Sequence, residues 1–348
     1  MKPMKLFCLP YLIQKHILDS MDLQSIFLLS LCSKRMKNCI ASRQTVRFNK
    51  IKYFHFQIRS MICIEAVYFD GTVEVIFEMY PTTSAVKRLC ISSLIGLSYT
   101  KRAPKSTLTW RALIQHSKPF KILFGNEKEY RVDMFSRYDG DSIPRLHNIR
   151  SSCVWSYPTT TGKTVDSFCS ESPNQDFFQV LSAINGQLDE NSKLYGMKTI
   201  DVGEDNSGLV LDIIRRFTGT HAFLRTSELS NSDIIEFVNR WKSNEAFESL
   251  EVLVVRFNHQ FNLSNRIEIE NSIGIRELSS ENNAPEFHYK RRYNLDPNDF
   301  FSHSFVSNSY VVRDHDQRVA SVLLNEETFS IGIWNLTENE FLEKCLKS

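Results

Sequence analysis

No apolar run in this 348-residue chain approaches the ~20 residues that a membrane-spanning helix requires, so no membrane partner is expected. The opening segment MKPMKLFCLPYLIQKHIL is rich in apolar residues, but Pro10, Gln14, Lys15 and His16 break the stretch that a signal peptide needs. It reads as folded structure. Eight cysteines, at 8, 32, 39, 63, 90, 153, 169 and 345, include no C-x-x-C pair. Zinc sites need ligands at short spacing, and disulfide scaffolds are shorter and denser in cysteine, so neither is expected. Several cysteines lie in apolar segments, Cys32 within LLSLCS and Cys63 within MICIEAV. The expectation is buried free thiols in a reducing compartment, the cytoplasm or nucleus. The triplets Asn262-Leu263-Ser264 and Asn335-Leu336-Thr337 would accept glycans only in a secreted protein, and nothing else points there.

The motifs of catalysis are missing too. Neither G-x-S-x-G nor G-x-G-x-x-G occurs, and the nine histidines form no H-x-x-x-H pair. Thr161-Gly162-Lys163-Thr164 echoes the end of a P-loop, but the glycine needed five residues before Gly162 is Tyr157, and the Ser/Thr/Pro-rich flanks do not read as a strand-to-helix junction. The motif reads as a solvated loop. His315 between Asp314 and Asp316 is expected to be a solvated polar turn. No enzymatic activity, metal or cofactor is therefore expected.

What the chain does have is an apolar share of 42% against 24% charged residues, enough for a packed core. Its net charge of +2 is unevenly spread. Residues 1–60 hold eleven Lys/Arg against Asp19 and Asp22, a balance of +9. The other 288 residues hold 31 basic and 38 acidic side chains, a balance of −7. A basic head on an acidic body implies a head that meets an acidic partner, either a protein or nucleic acid.

Residues 9–42 read as three short helices. Pro10 suits a first helical turn, where its missing N–H has no partner to lose. Ile13, Ile17 and Met21 recur every four residues, with Leu12 and Leu18 beside them. Asp22 is a good N-cap for a second helix that is apolar nearly all round, so that both of its sides should be covered. Ser33 suits a third, with Met36 and Ile40 inward and Lys34, Arg35 and Lys37 wet. From Val46 to Tyr80 the chain is β-rich, and Asp70-Gly71 between two alternating runs marks a hairpin. Residues 100–110 read as a linker, with Ser106 or Thr109 opening a helix through Leu113, and 136–176 read as loops. Signals then alternate: helix 174–188, strand 197–202, helix 207–217, strand 221–225, helix 231–242, strand 250–256. That spacing is one of strand-plus-helix repeats, like a leucine-rich-repeat stack, although the L-x-x-L-x-L-x-x-N signature is absent. A β-rich tail follows, with strands at 266–270 and 309–313, a hairpin of RVASVLL and TFSIGIW, and a helix at 338–346 capped by Thr337 with Glu340. Trp241 and Trp334 are expected as core anchors, and Lys290-Arg291-Arg292-Tyr293 as a wet strand edge.

The N-terminal segment resembles the F-box. The elements that carry the resemblance are Leu9-Pro10, the helix through Ile13, Ile17 and Leu18, the Met21-Asp22 step, Phe27-Leu28-Leu29-Ser30-Leu31, and Cys32-Ser33-Lys34-Arg35-Met36. Gln14-Lys15 stands where many members carry an acidic residue. The later stretches SELSNSDIIEFVNRWKSNEAFESLEVLVVRF and RVASVLLNEETFSIGIWN are similar to the nematode-type group of F-box proteins with an F-box-associated domain.

The resemblance implies an α+β multidomain chain: a three-helix F-box at 1–48, a small antiparallel β region and linker at 49–105, and an α/β domain at 106–348, most family-like at 173–257. The last would have leucine-rich-repeat-like units and a β-rich tail. It implies a substrate-recognition adaptor of a cullin-based ubiquitin ligase that performs no chemistry itself. Three helices of this length cannot bury both their own core and an apolar second helix. Leu9, Pro10, Ile13, Ile17, Leu28, Leu31 and Cys32 are therefore expected to be shared between that core and the surface that meets a Skp-type adaptor, and through it a cullin. The C-terminal domain would hold an unknown protein target, on a concave strand face or the 136–176 loops. The rival readings are a nucleic-acid-binding module or a non-ligase scaffold using the basic head, with Phe48, Tyr53 and Phe54 interleaved among Arg43, Arg47, Lys50 and Lys52.

Overall fold

The computed structural model describes residues 6–59, 62–79, 123–125, 127–136, 148–156, 160–203, 206–261, 266–279, 284–289 and 304–347. The linker at 100–110, the helix through Leu113, Cys90, Asn262-Leu263-Ser264 and Lys290-Arg291-Arg292-Tyr293 lie outside those residues. The architecture is α+β, and the chain divides into two compact units: 1–152 with 171–174, and 153–170 with 175–348.

The first unit opens with a 3-10 turn (Leu6–Cys8) and four helices, α1 (Tyr11–Asp19), α2 (Leu23–Cys32), α3 (Lys34–Arg43) and α4 (Thr45–Asn49). Strands β1 (Ile51–Ile58), β2 (Ile62–Tyr68), β3 (Val73–Met79), β4 (Glu129–Ser136) and the first half of β5 (Ile149–Ser156) follow, in the sheet order β5-β4-β1-β2-β3. The β2–β3 hairpin turns at Asp70-Gly71 as the sequence predicts, with Gly71 at φ 84°, where a side chain is disfavoured. The region is not wholly antiparallel, because β4 runs parallel to β1. One face of this sheet, with Phe54, Phe56, Tyr130 and Val132, is buried, and Phe124 packs at 4.7 Å from Phe54 and 4.8 Å from Phe48 of α4.

In the second unit α5 (Gly162–Glu171) stands within the segment expected to be loop, because Val165, Phe168 and Cys169 recur at helical spacing and are all buried. The two-residue strands β6 (Thr160–Thr161) and β8 (Ile184–Asn185) pair beside it. The helix expected over 174–188 is instead strand β7 (Phe177–Val180), buried at every position, together with β8. A short apolar run flanked by turns fits a buried strand as well as a helix, and only tertiary context separates the two. Beyond a 3-10 turn (Lys193–Gly196) come β9 (Thr199–Val202), α6 (Ser207–Arg216), β10 (His221–Thr226), α7 (Asn231–Lys242) and β11 (Val252–Phe257). Strands β7, β9, β10 and β11 lie side by side and parallel, with Phe178, Ile200, Ala222 and Leu253 on one rung. Buried Asn206 ties two turns of this ladder, donating to Ser182 O (2.9 Å) and accepting from Ile184 N (2.6 Å). Helix α7 starts on a Ser230/Asp233 capping box and buries Ile234, Phe237, Val238 and Trp241, one face at helical spacing.

Residues 266–270, expected as a strand, begin helix α8 (Arg266–Ile273). The alternation of Ile267 and Ile269 misleads. Ile269 and Ile273 are the buried i, i+4 pair, Ile267 is exposed, and Arg266 bonds Glu270 one turn on. The tail holds β12 (Arg276–Glu277), the hairpin β13 (Glu286–His288) and β14 (Ser304–Val306), β15 (Ser309–Val312), β16 (Arg318–Leu324), β17 (Thr328–Thr337) and helix α9 (Glu338–Lys347). This unit's sheet runs β12-β15-β16-β17-β11-β10-β9-β7. Glu340 accepts from Thr337 N and Oγ1, each at 2.8 Å, closing the expected cap. Trp241 is fully buried, and Trp334, partly buried, packs on Phe287 and Phe341. The 314–316 turn is not merely solvated. Asp316 pairs with the buried Arg313 and with Arg318, and the Arg313 bond holds the Asp316 carboxyl down at about 2.

Candidate functional site

The helical head is built from local signals. Pro10 directly precedes α1, Asp22 accepts from Ser25 N at 2.6 Å to start α2, and Ser33 accepts from Met36 N at 3.0 Å to start α3. Leu18, Leu23, Ile26, Phe27, Cys39 and Ile40 fill the interior. Gln14 joins them, its amide donating to Leu9 O at 2.6 Å and its carbonyl facing the Cys39 thiol at 3.8 Å. Gln44, 1% exposed, donates to Asp19 at 2.7 Å.

That packing turns another side of the helices outward. Ile13, Ile17 and Met21, the repeating set of α1, do not form its inner face; Gln14 and Leu18 do. Of the sequence-predicted docking residues, Leu9, Ile17 and Leu28 are half-buried, while Pro10, Ile13, Leu31 and Cys32 are exposed. None lies in the core. The second helix packs against α3 and β3 and buries Leu23, Ile26, Phe27 and Ser30, while its Leu31 remains 51% exposed. Tyr11 and Leu12, the latter 73% exposed, also face outward and were not singled out from sequence. Their signal was adjacency: three consecutive apolar residues at 11–13 cannot all face one core across a helix.

Cations border this apolar surface. The Arg35 guanidinium lies 4.3 Å from the centre of the Phe7 ring, and that of Arg43 5.0 Å from Tyr11. The thiols at 8 and 32 are exposed, unlike those at 39, 63, 153, 169 and 345, and all seven are free. Cys32 thus departs from the expectation of burial.

The head is fixed to its own unit through Glu74 of β3, which accepts from Arg47, Tyr68 and Leu23 N. Deeper in the sheet His55 of β1 bridges two carboxylates, Asp133 of β4 at 2.8 Å and Glu65 of β2 at 3.4 Å. Burial opposes the imidazolium, but the bonds to Asp133 and Glu65 outweigh it and raise its pKa to about 9. Both ring nitrogens are engaged by carboxylates, which leaves this group a structural strut.

Elsewhere, Lys163 and Asp166 of α5, with Gln187 and Asp189, line an open cleft of about 600 Å³ in the second unit. The P-loop-like tetrapeptide spans the end of β6 and the start of α5, and its Lys163 lines the cleft together with Asp166 and Asp189. Among the described residues no His/Cys/Asp/Glu group suits a metal ion, and no helix is long and apolar enough to cross a membrane.

Residues 6–47 match the family model of the F-box domain. No curated protein and no solved structure gives a significant match to the chain. The matched segment is the helical head, and the chain carries an F-box domain there. F-box domains in general serve as Skp-type-adaptor-binding modules of cullin-based ubiquitin ligases, and proteins that carry them are generally non-catalytic substrate adaptors.

Proposed function

We propose that this protein is the substrate-recognition subunit of a cullin-based ubiquitin ligase, binding a Skp-type adaptor through its head and a protein target through its second unit. The carrying observation is the outward apolar surface of a matched F-box: Leu9, Pro10, Ile13, Ile17, Leu28, Leu31 and Cys32, widened by Tyr11 and Leu12 and bordered by Arg35 and Arg43. Exposed Leu and Ile side chains of this kind gain ~1.5–3 kcal/mol each when fully covered. The basic border favours encounter with an acidic adaptor and adds more to rate than to affinity.

The finer reading places the F-box at 1–48, a β region at 49–105 and the target-binding domain at 106–348, with 153–170 and 175–348 of that span as the unit that holds the target, as in the nematode-type group with an F-box-associated domain. The parallel ladder β7-β9-β10-β11 and the Asn206 tie between its turns support a leucine-rich-repeat-like stack. The protein would work in the cytoplasm or nucleus, without catalysis, cofactor or membrane, and nucleic acid is not its partner.

Co-expression with a Skp-type adaptor tests this, with co-purification scored by size exclusion. The parent should bind, and Ile13→Asp and Leu31→Asp should each abolish binding while circular dichroism stays unchanged. A folded parent that fails to bind sinks the ligase reading and sends the basic head to salt-dependent nucleic-acid titration.

A further inference from the structure

The cleft between α5 and the 187–192 turn is walled by Asp166, Ser167 and Ser170 on one side and Leu188, Asp189 and Ser192 on the other, and encloses about 600 Å³. Its two carboxylates are held in place by backbone donors. Asp166 Oδ2 accepts from Asp189 N at 2.7 Å, and Asp189 Oδ1 accepts from Asn191 N at 2.8 Å. Each bond occupies one oxygen. The other oxygen of Asp166, Oδ1, is covered and has no hydrogen-bond partner.

A second group at the same place is also unpaired. Tyr195, in the 3-10 turn that follows the cleft, is 4% exposed, and its hydroxyl has no hydrogen-bond partner. Its backbone is tied to the cleft wall, because Tyr195 N donates to Ser192 O at 3.2 Å. The hydroxyl feels the cleft charges. Burial first and Asp212 next push it up to about 12, with Arg216 opposing and Asp166 and Asp189 adding to the rise. It therefore stays a neutral hydroxyl that can accept as well as donate.

A covered carboxylate oxygen without a donor is costly, and natural structures leave few such groups without a function. Lys163, on the same wall, is exposed, and residues 160–196 set two lysines against five carboxylates, a balance of −3. A metal ion does not fit, since among the described residues no three His, Cys, Asp or Glu converge to hold one. An arginine side chain does fit. Its planar fork offers five donors and no acceptor, pairs with a carboxylate through two parallel hydrogen bonds, and is less strongly hydrated than an ammonium beside a half-buried acid.

We propose that this cleft holds an arginine side chain of the protein target, with Asp166 and Asp189 as its acceptors and the Tyr195 hydroxyl as a further one. The inference rests on the reading of the chain as a target-binding adaptor and specifies the chemistry of that target as a basic segment. The charge of the body agrees, because residues 61–348 carry a net −7.

The test uses the full chain co-purified with a Skp-type adaptor, or alone if the adaptor does not bind. It is offered three degenerate peptide pools, identical except for arginine, lysine or the uncharged arginine analogue citrulline at a fixed central position. Retention of the arginine pool should exceed that of the citrulline pool roughly ten-fold. Asp166→Asn, which still offers an acceptor to Asp189 N, and the exposed Asp189→Asn should each abolish the preference, whereas Glu248→Gln, an exposed acid elsewhere in this unit, should leave it intact. Tyr195→Phe should lower retention of the arginine pool about three-fold without lowering the melting temperature, because an unpartnered hydroxyl adds nothing to the fold. Preference for arginine over lysine assigns a guanidinium, and equal retention of lysine widens the ligand to any side-chain cation. Equal retention of all three pools overturns the proposal, as does a preference that survives both asparagine variants. If Asp166→Asn does not fold, carbodiimide labelling of the parent decides: the arginine pool should protect Asp189, and unchanged labelling rejects the site. Adaptor co-purification is scored in the same preparations, so failure here is distinguishable from failure of the ligase reading.

Discussion

Arg47 of α4 donates through Nη2 to both carboxylate oxygens of Glu74 in β3, at 3.1 and 2.8 Å. Its Nη1 donates to Met21 O at 2.7 Å, and Glu74 also accepts from Tyr68 Oη at 3.0 Å and Leu23 N at 3.3 Å. One carboxylate therefore serves the α1–α2 turn, the start of α2 and the hairpin together, and the F-box is built onto the strands that follow it. Glu74→Ala removes the acceptor of three donors and four hydrogen bonds. Both partners are partly exposed, so solvent screening holds the expected loss to about 1–2 kcal/mol in urea unfolding. A double-mutant cycle with Arg47→Met should return a coupling of at least ~0.5 kcal/mol, and strict additivity would refute the shared anchor.

The head and, β7 apart, the ladder were legible for the same reason: their signals are local. Asp22 and Ser33 announce helix starts through backbone N–H groups a turn away, Thr337 does so through Glu340, and each helix begins at the next residue. What failed was context. Phe177–Val180 and Arg266–Ile273 are short runs whose periodicity fits either structure, and their burial is decided by neighbours distant in sequence. The docking face was read as apolar but not oriented, because only packing shows that Gln14 and Leu18 turn inward and leave Ile13 outside.

His55 makes stability depend on pH. Its folded pKa, raised to about 9, lies above the ordinary 6.5, so the contribution is complete below ~6.5 and is lost as pH rises through about 9. With the ring mostly buried, the loss is on the order of 3 kcal/mol. Glu65 acts in reverse: the bond to His55 lowers its pKa, so its contribution holds above about 4.5 and fades in acid. Urea midpoints should thus fall between pH 7 and 9.5, and His55→Gln should flatten that limb. A slope unchanged by the substitution would exclude the strut.

Thiol reactivity offers a map of the docking face. Burial, then the charges of Glu65 and Glu78, push the Cys63 thiol up to about 12, and Cys8 and Cys32 are exposed. Iodoacetamide at pH 7.5 should label Cys8 and Cys32 within minutes and leave Cys63 and Cys169 unmodified, as read by peptide mass spectrometry. Addition of a Skp-type adaptor should protect Cys32. Equal labelling of Cys32 with and without bound adaptor would move the docking surface off the end of α2.

The Thr161-Gly162-Lys163-Thr164 tetrapeptide gives a last test, because its glycine lies against the backbone of Gln187. A Cβ on Gly162 would meet Gln187 O at 2.3 Å and the Gln187 carbonyl carbon at 2.8 Å, contacts with backbone that no rotamer change relieves. In a free helix Gly→Ala is stabilising by ~1 kcal/mol. Here the helix start must withdraw from the 186–188 turn, and overpacking of this kind costs about 1–3 kcal/mol. Packing should therefore win, with Gly162→Ala lowering stability by up to ~2 kcal/mol net of the helix-propensity gain. Lys163→Ala, whose side chain is exposed, should change stability by less than ~0.5 kcal/mol. Calorimetric melts of the two variants decide it: a stabilised Gly162→Ala would mean that α5 does not approach Gln187 as closely as its backbone requires.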